Sequence, residues 1–315
     1  MRDPLPFFTD QDILEARSAK RPLDPSRPVA FHVEPECTAD GTIERVATIF
    51  LANRECPFRC LMCDLWQDTT DETVAPGAIP HQIDVALAGL PDADHIKLYN
   101  SGNFFDPNAI PCADYEAIAR RVNKFKTVIV ENHPRLCGDR CLQFRDLLDG
   151  RLEIALGLET IHAETLGRLN KRMRLVDFER AASFLRQHNI DLRTFILLNP
   201  PFIDPNESTE WTLRSIAFAF DAGVQCCAVV PTRTGNGIME IVETMGYYVP
   251  PTLASMETVL EAGIGMRRGR VFIDLWDVDS FIRCVRCGPE RIERLRDMNL
   301  FQRILPPIAC DCGTA

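Results

Sequence analysis

The chain has 315 residues, of which 46% are hydrophobic, and a formal net charge of −10 at pH 7. This length suits one α/β barrel-like domain with a small appendage, and the acidic balance argues against broad non-specific affinity for nucleic acid. No run of about 18 uninterrupted apolar residues occurs, so we expect no membrane-spanning helix. The first residues contain no apolar stretch, so we expect a cytoplasmic protein without a signal peptide.

The predicted elements begin after a proline-rich N-terminal segment. Residues 1–40 contain six prolines and are predicted to form an extended arm. From residue 46 onward, apolar strands alternate with amphipathic helices, which is typical of parallel βα units whose strands are buried on both faces. The predicted strands are 46–52, 95–100, 127–132, 152–158, 191–198, 224–230 and 271–276. The predicted helices are 80–90, 113–125, 139–149, 176–188, 208–222 (capped by Ser208) and 253–266. Six or seven such units close only part of a barrel.

Three cysteines follow the first predicted strand. Cys56, Cys60 and Cys63 have the spacing C-x3-C-x2-C. Three thiolates on one short loop can bind three irons of a [4Fe–4S] cluster and leave the fourth iron free for a substrate or cofactor. Structural zinc is a weaker alternative because no His or Cys follows within the next fifteen residues to supply a fourth ligand. Disulfide pairing is also weaker, since the chain is expected in a reducing compartment.

Polar residues follow three of the predicted strands, at the end where parallel barrels carry their active sites. Ser101 and Gly102 follow the second strand and can bind an amino-acid head group. Glu159 follows the fourth strand, where its carboxylate either pairs with a ribose diol or ammonium group or caps the next helix. Asn199 follows the fifth strand in a proline-rich segment that is predicted to form a pocket wall.

The C-terminal segment, residues 277–315, is rich in cysteine. Cys284 and Cys287 form one close pair, and Cys310 and Cys312 form a second. Two pairs of thiolates can form a closed zinc site or bind an auxiliary iron–sulfur cluster, and the pattern also allows that no metal is bound. The arginine-rich stretch between the pairs could present cations to RNA or another anionic substrate.

The cysteine motif of the first loop is that of radical S-adenosylmethionine (SAM) enzymes, and the chain resembles that superfamily. Further segments resemble the radical SAM family that forms archaeosine in archaeal tRNA, a relative of the elongator-type acetyltransferase and methylthiotransferase radical domains. These segments are residues 100–106, 156–160, 197–202 and 230–237, together with the paired cysteines of the C-terminal segment. The resemblance extends from about residue 28 to the C-terminus.

The resemblance implies an α/β fold, with a partial (β/α)6-type barrel over residues 41–276 followed by the Cys-rich extension. It also implies a [4Fe–4S] cluster that reductively cleaves SAM to a 5′-deoxyadenosyl radical, and an electron donor of the flavodoxin or ferredoxin type. Cofactor binding is assigned to Ser101, Gly102, Glu159, Lys171, Arg172 and Asn199. In this assignment Ser101 and Gly102 meet the methionine amino group, and Lys171 or Arg172 faces the carboxylate. No further catalytic residue is predicted.

The substrate is less sharply defined than the cofactor. The archaeosine-forming family acts on a lysine-adducted deazaguanine in tRNA, and its first cysteine lies further from the second than here. The acidic charge also differs from that of a stand-alone tRNA binder. A modified tRNA base, with tRNA or a tRNA-binding protein as partner, is therefore one hypothesis. A radical SAM enzyme for a free small metabolite or peptide is the alternative, and a non-catalytic iron–sulfur or zinc redox protein is a third.

Overall fold

The computed structural model describes residues 5–312, in which eight strands form one sheet in the order β1 to β8. The strands are β1 (Ala30–Cys37), β2 (Ile43–Phe50), β3 (His95–Tyr99), β4 (Thr127–Asn132), β5 (Arg151–Glu159), β6 (Asp191–Leu198), β7 (Cys226–Pro231) and β8 (Arg270–Ile273). Strand β1 is antiparallel to β2, and β2 to β8 are all parallel. The predicted α/β fold is thus confirmed.

Ten α-helices connect these strands within the described residues. They are α1 (Asp10–Glu15), α2 (Ala78–Gly89), α3 (Tyr115–Val122), α4 (Asp139–Arg145), α5 (Ala163–Arg168), α6 (Leu175–Gln187), α7 (Pro205–Asp221), α8 (Ile238–Thr244), α9 (Leu253–Gly265) and α10 (Gly288–Phe301). None of them has the length and apolar character needed to cross a bilayer.

All seven predicted strands and all six predicted helices are present, with small shifts at their ends. The prediction that Ser208 caps a helix is wrong. Helix α7 begins earlier, at Pro205, and Asp204 is its N-cap. Ser208 is buried, and its hydroxyl accepts a hydrogen bond from the backbone N–H of Asn199 at 3.0 Å.

The N-terminal segment contains more structure than an extended arm, since α1 and β1 both lie within it. The domain boundaries predicted at residues 40 and 276 stay predictions. Residues 1–4 of the arm and 313–315 of the C-terminal segment lie outside the described residues.

The two edge strands, β1 and β8, contact each other, so the sheet curls into a partial barrel. Arg270 on β8 donates to the carbonyl oxygen of Cys37 on β1 at 3.1 Å. Alternate strand residues therefore face either the helices or the lumen. The helix-facing set is apolar and buried, and it includes Ile49, Leu98, Val130, Ile154 and Leu198.

A buried ionic network fills the amino-terminal part of the lumen. Glu36 accepts hydrogen bonds from Lys97 at 2.5 Å and from Arg193 at 2.6 Å. Arg193 also donates to Glu153 at 2.6 Å. Burial alone would raise the pKa of Glu36, but Arg193 and Lys97 outweigh it and hold that pKa well below its usual range. The carboxylates therefore stay charged and link β1 to β3, β5 and β6.

Helix α10 covers the exposed edge of β8. The side-chain amide of Gln302, the residue after the helix, exchanges two hydrogen bonds with the backbone of Val271, at 2.9 Å each. Asn299 does the same with Ile273, at 2.9 and 2.8 Å. Two amide side chains thus take the place of a ninth strand and satisfy backbone groups that an edge would leave open.

Candidate active site at the mouth of the barrel

The cysteine loop, residues 51–64, leaves β2 at the carboxyl end of the barrel. Its three cysteines, the cysteine triad of Cys56, Cys60 and Cys63, are all half-buried. Between them, Leu61 is fully buried and its N–H donates to the carbonyl of Leu169 at 2.9 Å. The loop is therefore a fixed part of the fold.

Two amide side chains bind the backbone of the cysteine loop. The amide of Asn236 donates to the carbonyl oxygens of Leu61 and Cys63, at 2.8 and 3.1 Å. The amide of Asn170 donates to the carbonyl of Arg59 at 2.7 Å. Because each amide fixes backbone, the spacing of the triad is set by groups far away in sequence.

An aromatic stack attaches the same loop to β4. The rings of Phe58 and His133 lie nearly parallel, with centroids 3.8 Å apart. His133 accepts from the N–H of Arg135 at Nδ1, so its Nε2 donates to the carbonyl of Lys171 at 3.0 Å. Burial, helped by the Lys171 charge, lowers the pKa of His133 to about 3. This histidine is therefore a neutral structural link, and the sequence analysis missed it.

The loop after β3 contacts the first cysteine directly. Asn103 donates from Nδ2 to Sγ of Cys56 at 3.0 Å. A Cβ added to Gly102 would stand 3.5 Å from Cβ of Cys56, an ordinary contact distance. The loop after β3 therefore lies next to the first cysteine, and cofactor binding by Ser101 and Gly102 stays a prediction.

Glu131, at the end of β4, organises that loop and was not predicted. Its Oε1 accepts from the backbone N–H groups of Asn100 at 2.6 Å and Gly102 at 3.3 Å. Burial raises the pKa of Glu131 to about 7, although the backbone donors act against this. The residue combines a perturbed carboxyl group with a position in the mouth of the barrel.

Glu159 and Lys171 form a buried ion pair beside the triad. Lys171 Nζ lies 2.7 Å from Glu159 Oε1. Burial alone would lower the pKa of Lys171, but the Glu159 carboxylate outweighs it, so that pKa is raised. The lysine is therefore a fixed positive charge close to the cysteines.

Gly157 leaves the space that this pair occupies. A Cβ at this position would stand 2.4 Å from both Glu159 Oε1 and Lys171 Nζ. The glycine of the Leu156-Gly157-Leu158-Glu159 segment is therefore explained by packing.

The structure shows that Lys171 and Arg172 have different surroundings, whereas the sequence left either one as the basic residue near the cofactor. The Arg172 side chain is half exposed and forms an ion pair with Asp10 of α1. Asn199 lies at the end of β6, and its amide donates to the carbonyl of Val249 at 3.4 Å. Lys171 is thus the basic residue next to the triad, while Arg172 holds the N-terminal segment.

Left-handed backbone conformations concentrate at this end of the barrel. Ser101, Glu159, Asn199 and Phe202 have φ values of 50°, 65°, 54° and 68°. Such conformations cost free energy for residues other than glycine and accumulate at functional sites. Three of these four are residues that the sequence analysis assigned to cofactor binding.

Several buried polar atoms here have no partner within the described part of the chain. Asn100 is fully buried, yet both its amide nitrogen and its amide oxygen lack a hydrogen bond. Asn53 Oδ1 and Thr232 Oγ1 are also buried and lack a hydrogen-bond partner among the described residues. Leaving a buried polar group unpaired costs about 1–3 kcal/mol, so these atoms fit a site that a polar ligand completes.

Aromatic side chains line the lumen between the triad and the ionic network. Phe50, Tyr99 and Phe195 are each half-buried, and both flanking rings lie 6.2 Å from the Tyr99 ring. Burial raises the pKa of Tyr99 to about 12, so it stays protonated. The lumen therefore offers flat apolar surfaces with one phenol.

A second group of cysteines lies after β8. The Sγ atoms of Cys284, Cys287, Cys310 and Cys312 all lie within 4.8 Å of one another. Among residues 5–312, this is the one group of three or more candidate ligands gathered closely enough for a single ion, and the cysteine triad is not such a group. The C-terminal cysteines are thus able to bind metal.

No family model matches the chain. It is 24% identical over 324 residues to an uncharacterised protein of Methanocaldococcus jannaschii, covering 92% of this chain and 86% of that one. It is 23% identical over 281 residues to archaeosine synthase subunit beta of Methanosarcina acetivorans, covering 80% of this chain and 77% of that one.

Solved structures share the fold at low identity. A radical SAM methyltransferase from Sphaerobacter thermophilus matches with a TM-score of 0.52 and 14% identity, over 80% of this chain and 78% of that one. Methylornithine synthase matches with a TM-score of 0.50 and 14% identity, over 84% of this chain and 75% of that one. The Elp3 of Methanocaldococcus infernus matches with 0.50 and 15%, over 70% of this chain and 58% of that one. The chain therefore has the partial barrel fold found in radical SAM enzymes.

Proposed function

We propose that the protein is a radical SAM enzyme whose cluster is bound by Cys56, Cys60 and Cys63. The observation that carries the proposal is the position of these cysteines, on one fixed loop at the carboxyl end of a parallel barrel, beside a buried ion pair and unpartnered polar atoms. Three thiolate ligands leave one iron of a [4Fe–4S] cluster open for SAM. When bound, the two cofactors supply a 5′-deoxyadenosyl radical for hydrogen-atom abstraction.

The residues around the triad fit such a cluster. The hydrogen bond from Asn103 to the Cys56 sulfur would stabilise thiolate charge and thereby influence the reduction potential. Burial raises the pKa of Cys60 to about 12, so a bound cation is what would hold this sulfur as a thiolate at neutral pH. Lys171 places a second positive charge nearby.

The same residues fit the zwitterionic end of SAM. Lys171 has three N–H donors and Glu159 uses one of them, so the ammonium can also donate to a carboxylate. The unpartnered amide of Asn100 adds a donor and an acceptor, and the turn at Ser101 and Gly102 brings backbone close to Cys56. Asn199 follows β6 at the same end of the barrel and would contribute a further amide.

For the substrate we favour a modified base of tRNA. Flat rings of Phe50, Tyr99 and Phe195 in the lumen suit a planar heterocycle. The likeness to archaeosine synthase subunit beta supports the same class. Because the net charge is −10, a partner protein would supply the main RNA-binding surface. A free metabolite or a peptide is the second candidate, which this acidic charge favours.

Anaerobic reconstitution followed by measurement of 5′-deoxyadenosine tests the activity. Reduced wild-type protein should release 5′-deoxyadenosine from SAM, and Cys60→Ala should abolish release because the cluster loses a ligand. Cys112→Ala is the matched control, since Cys112 is exposed and outside both cysteine groups. Equal product from wild type and Cys60→Ala would contradict the proposal.

A tRNA mobility shift separates the two substrate classes. The C-terminal arginines are not equivalent, because Arg291 and Arg294 form ion pairs with Glu257 at 2.6 and 3.2 Å. Arg283 and Arg303 are exposed and are the residues to replace. Weakened tRNA binding by R283E and R303E, with unchanged SAM cleavage, supports an RNA substrate. Absence of any shift, with or without partner proteins, favours the small substrate.

A further inference from the structure

The spacing of the four C-terminal sulfurs identifies what kind of centre they can form. Sγ of Cys287 and Sγ of Cys312 lie 3.8 Å apart, and the whole set of four lies within 4.8 Å. A tetrahedral ion with metal–sulfur bonds of about 2.3 Å places its ligand sulfurs about 3.8 Å apart. The four thiols therefore already stand almost as they would around one ion.

An iron–sulfur cube does not fit this spacing. In a [4Fe–4S] cluster each cysteine binds a different iron, so the ligand sulfurs surround the whole cube and stand further apart than around one ion. A disulfide does not fit either, because its S–S distance is about 2.0 Å, whereas the sulfurs of Cys287 and Cys312 stand 3.8 Å apart. Of the three alternatives that the sequence left open, the geometry favours a single ion.

Four thiolates and one divalent cation carry a net charge of −2. Arg286 lies beside this group, but its charge is balanced by Asp311, with which it pairs at 2.6 Å. Cys287 is the N-cap of α10, where the partial positive charge of the helix end favours a thiolate.

We propose that Cys284, Cys287, Cys310 and Cys312 bind one Zn²⁺ ion, and that this ion fixes α10 as the cover of the β8 edge. The first two ligands precede α10 and the last two follow it, so the ion closes a loop around the helix. After Gln302 the chain turns back along α10, where Arg294 donates to the carbonyl of Pro306 at 2.7 Å. All four coordination positions are protein sulfurs, so the ion is structural and has no open position for a substrate.

Metal analysis of the purified, full-length protein tests the assignment. Wild type should contain one zinc per chain in addition to the iron of the cysteine triad. The double variant Cys310→Ser/Cys312→Ser should lose the zinc and keep the iron, and the control Cys112→Ser should keep both. A triple Ala variant of Cys56, Cys60 and Cys63 should lose the iron and keep the zinc. Iron and sulfide retained in that triple variant, with no zinc, would overturn the proposal.

Two further experiments use the wild-type protein. Cobalt substitution tests the tetrahedral coordination of the ion, and hydrogen exchange tests whether the ion holds α10 against the β8 edge. Co²⁺ in place of zinc should give the intense sulfur-to-cobalt charge-transfer bands of a tetrahedral thiolate site. Removal of zinc from wild type by a chelator should speed exchange at the amides of Val271 and Ile273 about tenfold or more, because Asn299 and Gln302 then release the β8 edge. Unchanged exchange there, or the absence of such bands, would contradict the proposal.

Discussion

At the scale of single residues, the site depends on one buried ion pair. Glu159 and Lys171 are 6% and 7% exposed, so neither charge is solvated by water to a useful extent. Each therefore depends on the other, and removing one partner of such a pair typically costs about 3–5 kcal/mol. This coupling explains why Glu159 tolerates a left-handed conformation at the end of β5.

Gly157→Ala should disturb this pair without removing either charge. The new methyl group would meet Glu159 Oε1 and Lys171 Nζ, each at 2.4 Å, so both ends must move. We expect the free energy of unfolding to fall by about 2 kcal/mol in anaerobic urea titrations. Gly167→Ala is the control, because a Cβ there meets nothing within 4 Å and the residue lies in helix α5. Equal stability of the two variants would contradict this account.

Glu131 should give the protein a pH-dependent stability. Its pKa is about 7 in the fold and 4.5 as an isolated group, so between these values the native carboxyl keeps a proton that the unfolded chain has lost. The stabilisation is therefore complete below about pH 4.5 and is lost as the pH rises through about 7. Relative to Glu131→Gln, wild type should lose about 3 kcal/mol over this interval in chemical unfolding. A difference between the two proteins that does not change with pH would count against the buried carboxyl.

Some site residues could be predicted from sequence and others could not, for a physical reason. The cysteine triad, Glu159 and Lys171 could be predicted because a spacing or a motif is visible along the chain. Glu131 and His133 were missed because their partners lie 29 and 38 residues away and are backbone groups. Backbone donors and acceptors carry no sequence signal, so only the fold reveals such contacts.

At the scale of elements, the N-terminal segment forms a lid for the cysteine loop. A small apolar cluster joins Ile13 of α1, Leu61 of the loop and Tyr248 after α8. Gly237 permits the close approach, because a Cβ there would stand 1.8 Å from the carbonyl oxygen of Ala16. Arg17 adds an ion pair with Glu55 of the loop at 2.7 Å.

Ile13→Ala should therefore weaken the fold and loosen the cluster site together. The side chain is 2% exposed, so its truncation should lower the free energy of unfolding by about 3 kcal/mol and reduce the iron retained after reconstitution. Leu14→Ala changes the neighbouring residue, which is 46% exposed, and should leave both quantities nearly unchanged. Full iron retention in a destabilised Ile13→Ala would show that the lid does not hold the loop.

Elements were predictable where burial is uniform along them. The parallel strands are apolar runs, and β4 shows this in Thr127-Val128-Ile129-Val130. Strand β1 was missed because it contains Pro35 between two glutamates, a pattern that indicates neither a core strand nor an amphipathic one. The strand is linked to the rest of the barrel through Glu36, which forms ion pairs with Lys97 and Arg193, and these residues are far from it in the sequence.

At the scale of the whole molecule, the proposed site lies at the open, carboxyl end of the sheet. The ionic network fills the amino-terminal part of the lumen, and α10 covers the β8 edge. The cysteine triad, the left-handed residues Ser101, Glu159, Asn199 and Phe202, and the unpartnered amides of Asn53 and Asn100 lie at the opposite, carboxyl end. A radical formed there would be enclosed by the lumen with its aromatic lining, which suits chemistry that must exclude water and oxygen.

The most direct test of the central claim is electron paramagnetic resonance of the reduced, anaerobically reconstituted protein. We expect a [4Fe–4S]⁺ signal that changes when SAM is added, because the cofactor binds the iron that Cys56, Cys60 and Cys63 leave open. A signal that SAM does not alter, or a cysteine loop that contains zinc in place of iron, would contradict the account.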